Sequence, residues 1–198
     1  MKNNICIHIV GQGLFGTFLQ ELLAPYVHFS EDADIVFLAV PFSAYDEVAT
    51  QNAGKHLVNI CSVQKDTHEV CACHSDKVTS IHPLFGPKSP EEGRTALLTQ
   101  ACVDTKIILD LFRQLSCEIV THLPNGRAID GEVHDRIMAK THLAGVLAAE
   151  MLKPLVAQAD WVPDNCIPAS FLRLRQFVQQ MGDISPGTLS SIKANPFF

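Results

Sequence analysis

His82 stands in "IHPLFGP", at the end of an apolar run and directly before a proline and a glycine-bearing turn. An imidazole suits the task of taking a proton from a hydroxyl whose carbon gives up a hydride, because its pKa lies near working pH. If the apolar run is a parallel strand, the ring sits at the sheet's carboxyl edge, where α/β folds place ligands, and the turn aims it. The second chemical feature is "GQGLFG". Gly11 fits a tight turn, Gly13 the close approach of a pyrophosphate and Gly16 the packing of a helix on a strand. Those glycines with Gln12, Leu14 and Phe15, and then Val40 and Pro41 at the end of the next apolar run, are the candidate cofactor-binding residues. A third cluster, "CACH" with His68 nearby, lacks a second ligand pair at zinc spacing, so no metal is expected.

These groups need a frame. "NICIHIV" reads as a strand from Ile5 to Val10 and "LFGTFLQELL" as a helix from about Leu14 to Leu23, the setting that gives the glycine motif its meaning. "ADIVFLAVP", "KHLVNICSV" and "KVTSIHP" are continuous apolar runs, the pattern of strands buried on both faces of a parallel sheet. "TALLTQA", the helix "DTKIILDLFRQL" and a strand near "EIVTH" follow. This alternation predicts an α/β, Rossmann-like, doubly wound sheet over residues 1–122. After "LPNG" no strand signal remains. A long helical pattern, broken near Pro154 and closed by Pro163, leads to helices near Ala169–Met181 and Pro186–Ala194, so 123–198 reads as a small all-helical domain.

One part of the dinucleotide pattern is out of place. An acid about 20 residues past the first glycine should hold the adenosine ribose, and Glu31 and Asp32 fall there. Yet if "YVHF" were a full second strand, "SEDA" would have to cross back under the sheet, and four residues reach only ~14 Å. The stretch therefore reads as a connector or a distorted edge strand, with the acids away from the ribose.

Composition narrows the partners. A net charge of −6 argues against a nucleic-acid surface. No run approaches ~18 apolar residues, so no membrane span is expected. "MKNNICIHIVGQG" lacks the features of a signal peptide. The seven cysteines are an odd number, and Cys6, Cys61, Cys102 and Cys117 lie in apolar runs. Buried free thiols in a reducing cytoplasm are the expectation.

"GQGLFG", "DADIVFLAVP", "CSVQK", "IHPLFGP" and "VHDRIMAKTHLAG" occur in an order that resembles the prephenate and arogenate dehydrogenases of tyrosine biosynthesis. The resemblance runs from Ile5 to about Gly145 and more loosely to Pro196. It implies a Rossmann domain followed by a helical domain, and oxidative decarboxylation of prephenate or arogenate by NAD or NADP, with His82 polarising the ring hydroxyl. It implies a catalytic role for Ser62, as the serine that hydrogen-bonds the histidine and the substrate, whereas Lys65 is displaced by one position, with Gln64 in its place. His134 and Asp135 match the family's "HD", expected to link the domains, with His134 also a candidate substrate contact. His142 falls where relatives present a polar group to the substrate, but the family's second histidine is replaced by Val146, or Gly145 if shifted. A substrate carboxylate calls for a fixed guanidinium, and in "FLRLRQF" Arg173 aligns better than Arg175. The second-strand region is short and the helical part ends early relative to the family, leaving an apolar face for a homodimer to cover. Three readings follow: an active compact dehydrogenase, a non-catalytic ligand-binding or regulatory relative, and another small-substrate reductase on the same architecture.

Overall fold

The computed structural model describes residues 5–182, 184 and 186–197. The residues of the expected leader-free start, 1–4, and Phe198 lie outside the described residues. β1 (Cys6–Val10) leads through the glycine turn to α1 (Leu14–Leu23), and a two-residue β2 (His28–Phe29) follows. Next come β3 (Ile35–Leu38), α2 (Tyr45–Gln51), β4 (His56–Asn59), α3 (Lys65–His74) and β5 (Val78–Pro83). β6 (Thr95–Gln100), α4 (Thr105–Gln114) and β7 (Glu118–Val120) complete the sheet. The seven strands lie in the order β2-β1-β3-β4-β5-β6-β7. The sheet is Rossmann-like, and parallel except that β6 pairs antiparallel with β5, so β6 and β7 run against the rest. The reason lies in the connection: Leu84 to Arg94 contain no helix, and without a crossover two adjacent strands can only reverse.

Side-chain alternation divides the core. Phe37 on β3 joins Ile7, Leu19 and Leu111 on the face covered by α1 and α4. Its neighbours Val36 and Leu38 join Tyr45, Val48 and Cys71 beneath α2 and α3. Strands buried on both faces have little room for polar residues, hence the continuous apolar runs.

β2 is the distorted edge strand. It pairs only at Cys6↔His28 and Ile7↔Phe29, after which a turn closed by Ala33 N–H to Ser30 O (3.2 Å) carries the chain beneath β1 to β3. Because β2 stops so low, the short linker never has to descend a full strand length. It also leaves Cys6 exposed, against expectation, and Cys102 is half-exposed, while Cys61 and Cys117 are buried and all seven thiols are free.

Beyond the sheet, α5 (Gly131–Met138) passes through a π-turn (Ala139–Leu143) into α6 (Ala144–Ala157). Pro154 does not end α6. It removes one bond, to the carbonyl of exposed Glu150, where solvent can replace it. α7 (Ala169–Gly182) and α8 (Pro186–Lys193) follow. Among the described residues no helix is long and apolar enough to cross a membrane.

Candidate functional site

α5 begins at an Asp130 cap, whose carboxylate accepts from Val133 N–H at 2.8 Å. Gly131 lets this helix end approach α3: a Cβ there would sit 2.8 Å from Lys65 Cα. The close contact brings the Asp135 carboxylate onto the uncapped start of α3, where Oδ1 accepts from Gln64 N–H (2.8 Å) and Oδ2 from Lys65 N–H (3.0 Å). Asp135 Oδ1 also lies 2.8 Å from His134 Nδ1, and His134 Nε2 lies 2.9 Å from His82 Nδ1. Both Asp135 and His134 are fully buried. Asp135 thus ties α5 to the start of α3, and His134 is sealed between Asp135 and His82.

This chain of contacts fixes protons. A carboxylate only accepts, so His134 carries its proton on Nδ1 and offers the Nε2 lone pair. His82 then donates from Nδ1, and its own Nε2 is left as an acceptor. Among the described residues that nitrogen makes no hydrogen bond, yet it is not one of the buried atoms sealed without a partner. Burial, with His134 and His142 adding to it, holds the His82 pKa well below the ordinary imidazole value of 6.5, so the ring is neutral at physiological pH.

The π-turn brings in His142. Eight residues of α-helix from His134 would turn about 800°, some 80° off its face, whereas one surplus residue in a wide turn cuts this to about 700°, within ~20° of alignment. His142 is half-buried, with its pKa lowered by burial first and by His134 second. Val146, at the position of the family's second histidine, is core instead, packed with Leu143 and Ile192 of α8. α8 and the residues after it tie the parts together: Ser191 Oγ accepts from Phe42 N–H (3.1 Å), and Asn195 Nδ2 donates to Asp135 O (2.8 Å).

The remaining candidates fall differently. Ser62 is half-buried beyond β4 and makes no hydrogen bond to His82, whose Nδ1 is held by His134. Arg173 stands exposed on α7, and no bond joins it to the histidines. Arg175 is committed elsewhere, to Asp164 Oδ1 (2.6 Å) and Ala159 O (2.9 Å). Among the described residues no group of His, Cys, Asp or Glu could hold a metal; of the "CACH" run, Cys71 is buried and His74 pairs with Asp46. Sequence reasoning noted Gln64 and Lys65 without giving either a role, and did not single out Gly131 or Asn195. Only the "DG" before α5 signalled anything, as a helix start.

The glycine turn fits a pyrophosphate. A Cβ on Gly11 (φ +111°) would lie 2.3 Å from Ala39 O, and one on Gly16 would lie 2.0 Å from Gly11 O. A Cβ on Gly13 would have nothing within 4 Å, and no side chain caps α1, so no side chain stands in for an anion at the start of that helix. Gln12 and Leu14 are exposed and Phe15 half-buried around it, and Val40 and Pro41 follow β3 at its side, where the strand order switches direction. The adenosine end has no matching seat. Asp32 lines a cavity of about 470 Å³ with Ile5, Cys6 and Asp34, at the opposite edge of the sheet from His82 and Gly11.

No protein-family model matches the chain, and no curated protein matches it in sequence. Solved structures do. A Corynebacterium glutamicum protein provisionally described as a prephenate dehydrogenase is 16% identical, with a TM-score of 0.67 over 98% of this chain and 74% of its own. A prephenate dehydrogenase from A. aeolicus, in complex with hydroxyphenyl propionate and NAD+, is 14% identical at a TM-score of 0.64, over 96% and 82%. The Synechocystis arogenate dehydrogenase is 16% identical at 0.60, over 96% and 84%. An imine reductase shares the fold at 0.57. The chain therefore has the fold of the prephenate and arogenate dehydrogenases, one that also hosts other chemistry.

Proposed function

We propose that this chain is a nicotinamide-dependent oxidoreductase that oxidises and decarboxylates prephenate or arogenate, using NAD or NADP, with His82 as base. The observation that carries the reading is the ordered relay from the Asp135 carboxylate through His134 to His82, which leaves His82 Nε2 as an acceptor. A bound nicotinamide supplies the hydride acceptor. Gly11 to Gly16 hold the pyrophosphate against the start of α1, with Val40 and Pro41 alongside. His82 Nε2 takes the proton of the substrate hydroxyl, and the positive charge it gains is shared with His134 and stabilised by Asp135. His142 hydrogen-bonds the substrate. The helical part from residue 123 onward acts as the second domain, bringing His134 and His142 to the sheet edge.

A specific observation favours the non-catalytic reading as the alternative: neither Arg173 nor Arg175 reaches the histidines. One experiment separates the two. The protein should form reduced nicotinamide from prephenate or arogenate, and His82→Asn should lower kcat by about 10²-fold or more while nucleotide affinity stays within about twofold. Nucleotide binding with no turnover of either substrate would leave the non-catalytic relative standing. A homodimer is supported by Met151 and Leu155, one helical turn apart on α6, and Trp161 beyond it, exposed by 77%, 57% and 83%. A cytoplasmic setting accords with the seven unpaired thiols.

A further inference from the structure

We infer that the nucleotide seat grips only the nicotinamide and pyrophosphate half of its cofactor, and so does not distinguish NAD from NADP. This rests on the nicotinamide reading above and concerns how much of the cofactor the chain holds. In the dinucleotide fold, the second strand rises beside the first and ends in an acid that holds the ribose hydroxyls and repels a 2′-phosphate. Here the pairing of β2 stops at Phe29 opposite Ile7, and Ser30 N–H to Ile7 O (3.1 Å) is its last bond. β1 continues through His8 and Ile9 to Val10 with no partner on that edge. Those three residues span about 10 Å. The chain meanwhile turns the other way: Lys55 Nζ holds Glu31 O at 3.1 Å beside the start of β4, and Asp32 and Asp34 flank Ile5 and Cys6.

Both acids that could have read the ribose therefore leave the backbone at the amino edge of the sheet, a strand length from the Gly11 turn. Separations beyond about 8 Å are largely screened at physiological salt, so their charge barely reaches a 2′-phosphate at the far edge. The glycine seat is complete by contrast, with Gly11 and Gly16 in places no side chain could share. Binding then depends on contacts that both dinucleotides offer alike and that the isolated mononucleotide, with one of the two phosphates, largely keeps.

The test is calorimetric titration of the whole protein with NADH, NADPH and reduced nicotinamide mononucleotide. Dissociation constants for the two dinucleotides should agree within about threefold, and the mononucleotide should bind within about tenfold of NADH. The exposed-acid double variant Glu31→Gln, Asp32→Asn should leave the NADPH to NADH ratio unchanged. A preference above about twentyfold for either dinucleotide overturns the inference and leaves the oxidoreductase reading intact, as does a tenfold rise in relative NADPH affinity in the double variant. If none of the three binds at millimolar concentration, the nicotinamide reading itself fails and takes this inference with it.

Discussion

Asp135→Asn is the sharpest test of the relay, because the change is isosteric and its consequence can be followed proton by proton. The carboxylate accepts from two backbone N–H groups and from His134 Nδ1. An asparagine has one acceptor oxygen and an amide that only donates, so it cannot satisfy all three. One flip keeps the oxygen on Gln64 N–H and His134 Nδ1 and sets the amide against Lys65 N–H; in the other the oxygen stays on Lys65 N–H, and the amide faces Gln64 N–H and donates to His134 Nδ1. This second flip forces the His134 proton onto Nε2, which must then donate to His82 Nδ1. His82 is left carrying its proton on Nε2, the nitrogen that should be the base. The expected loss is that of a general base, about 10²- to 10⁴-fold in kcat. One buried donor is left facing a donor, costing about 1–3 kcal/mol, or a Tm drop of roughly 2–12 °C for a chain of this size. Steady-state formation of reduced nicotinamide gives kcat, scanning fluorimetry gives Tm, and calorimetry should return an unchanged nucleotide Kd. A variant that folds and keeps kcat within about threefold would show that the carboxylate charge at Asp135 is not needed to set the His82 tautomer.

Three further outcomes can be checked. Burial lowers the pKa of His56, His68, His82 and His142 alike, opposed by Asp104 at His56 and Glu69 at His68, and aided by neighbouring histidines at the other two. Below about 6.5 the unfolded chain takes protons that the folded one refuses, so stability is full above that pH and is lost as pH falls toward the lowered folded values. Tm should drop between about pH 8 and about pH 5.5, and a flat profile would refute the burial of these rings. The glycines should separate: Gly13→Val, with nothing within 4 Å, should hold Tm yet weaken nucleotide binding by about tenfold or more, whereas Gly16→Val, aimed at Gly11 O, should prevent stable folding. If the Met151 and Leu155 face joins two copies, Leu155→Lys should convert a dimer to a monomer in analytical ultracentrifugation, and a wild-type monomer would dismiss the interface.

What could be read from the sequence was whatever the physics kept local. The β1–turn–α1 unit was legible because a Cβ at Gly11 or Gly16 collides with backbone only a few residues or one strand away. His82 was legible by its place at a strand end. The short β2 followed from chain reach alone. The reversal of β6 was not, because a strand's periodicity is the same in both directions; only the helix-free stretch from Leu84 to Arg94 hinted at it. Asp135 was read as a link, but its partners could not be named, because they are backbone N–H groups of Gln64 and Lys65, which carry no side-chain signature and lie far away in the chain. Arg173 was preferred over Arg175 by alignment, and the Asp164 that claims Arg175 sits across a connector whose path no pattern reveals. Pro154 was overweighted: the local rule is sound, but one lost bond on a wet face does not end a packed helix.

The wide turn at Ala139–Leu143 gives the long helix two phases instead of one. Deleting a single residue there would leave seven residues of plain α-helix between the two histidines, again about 700°, so α6 would keep its phase relative to α5 while the helix's own hydrogen bonding improved. Natural chains of this architecture should then tolerate a one-residue difference in length through this stretch without losing the shared face of the two histidines.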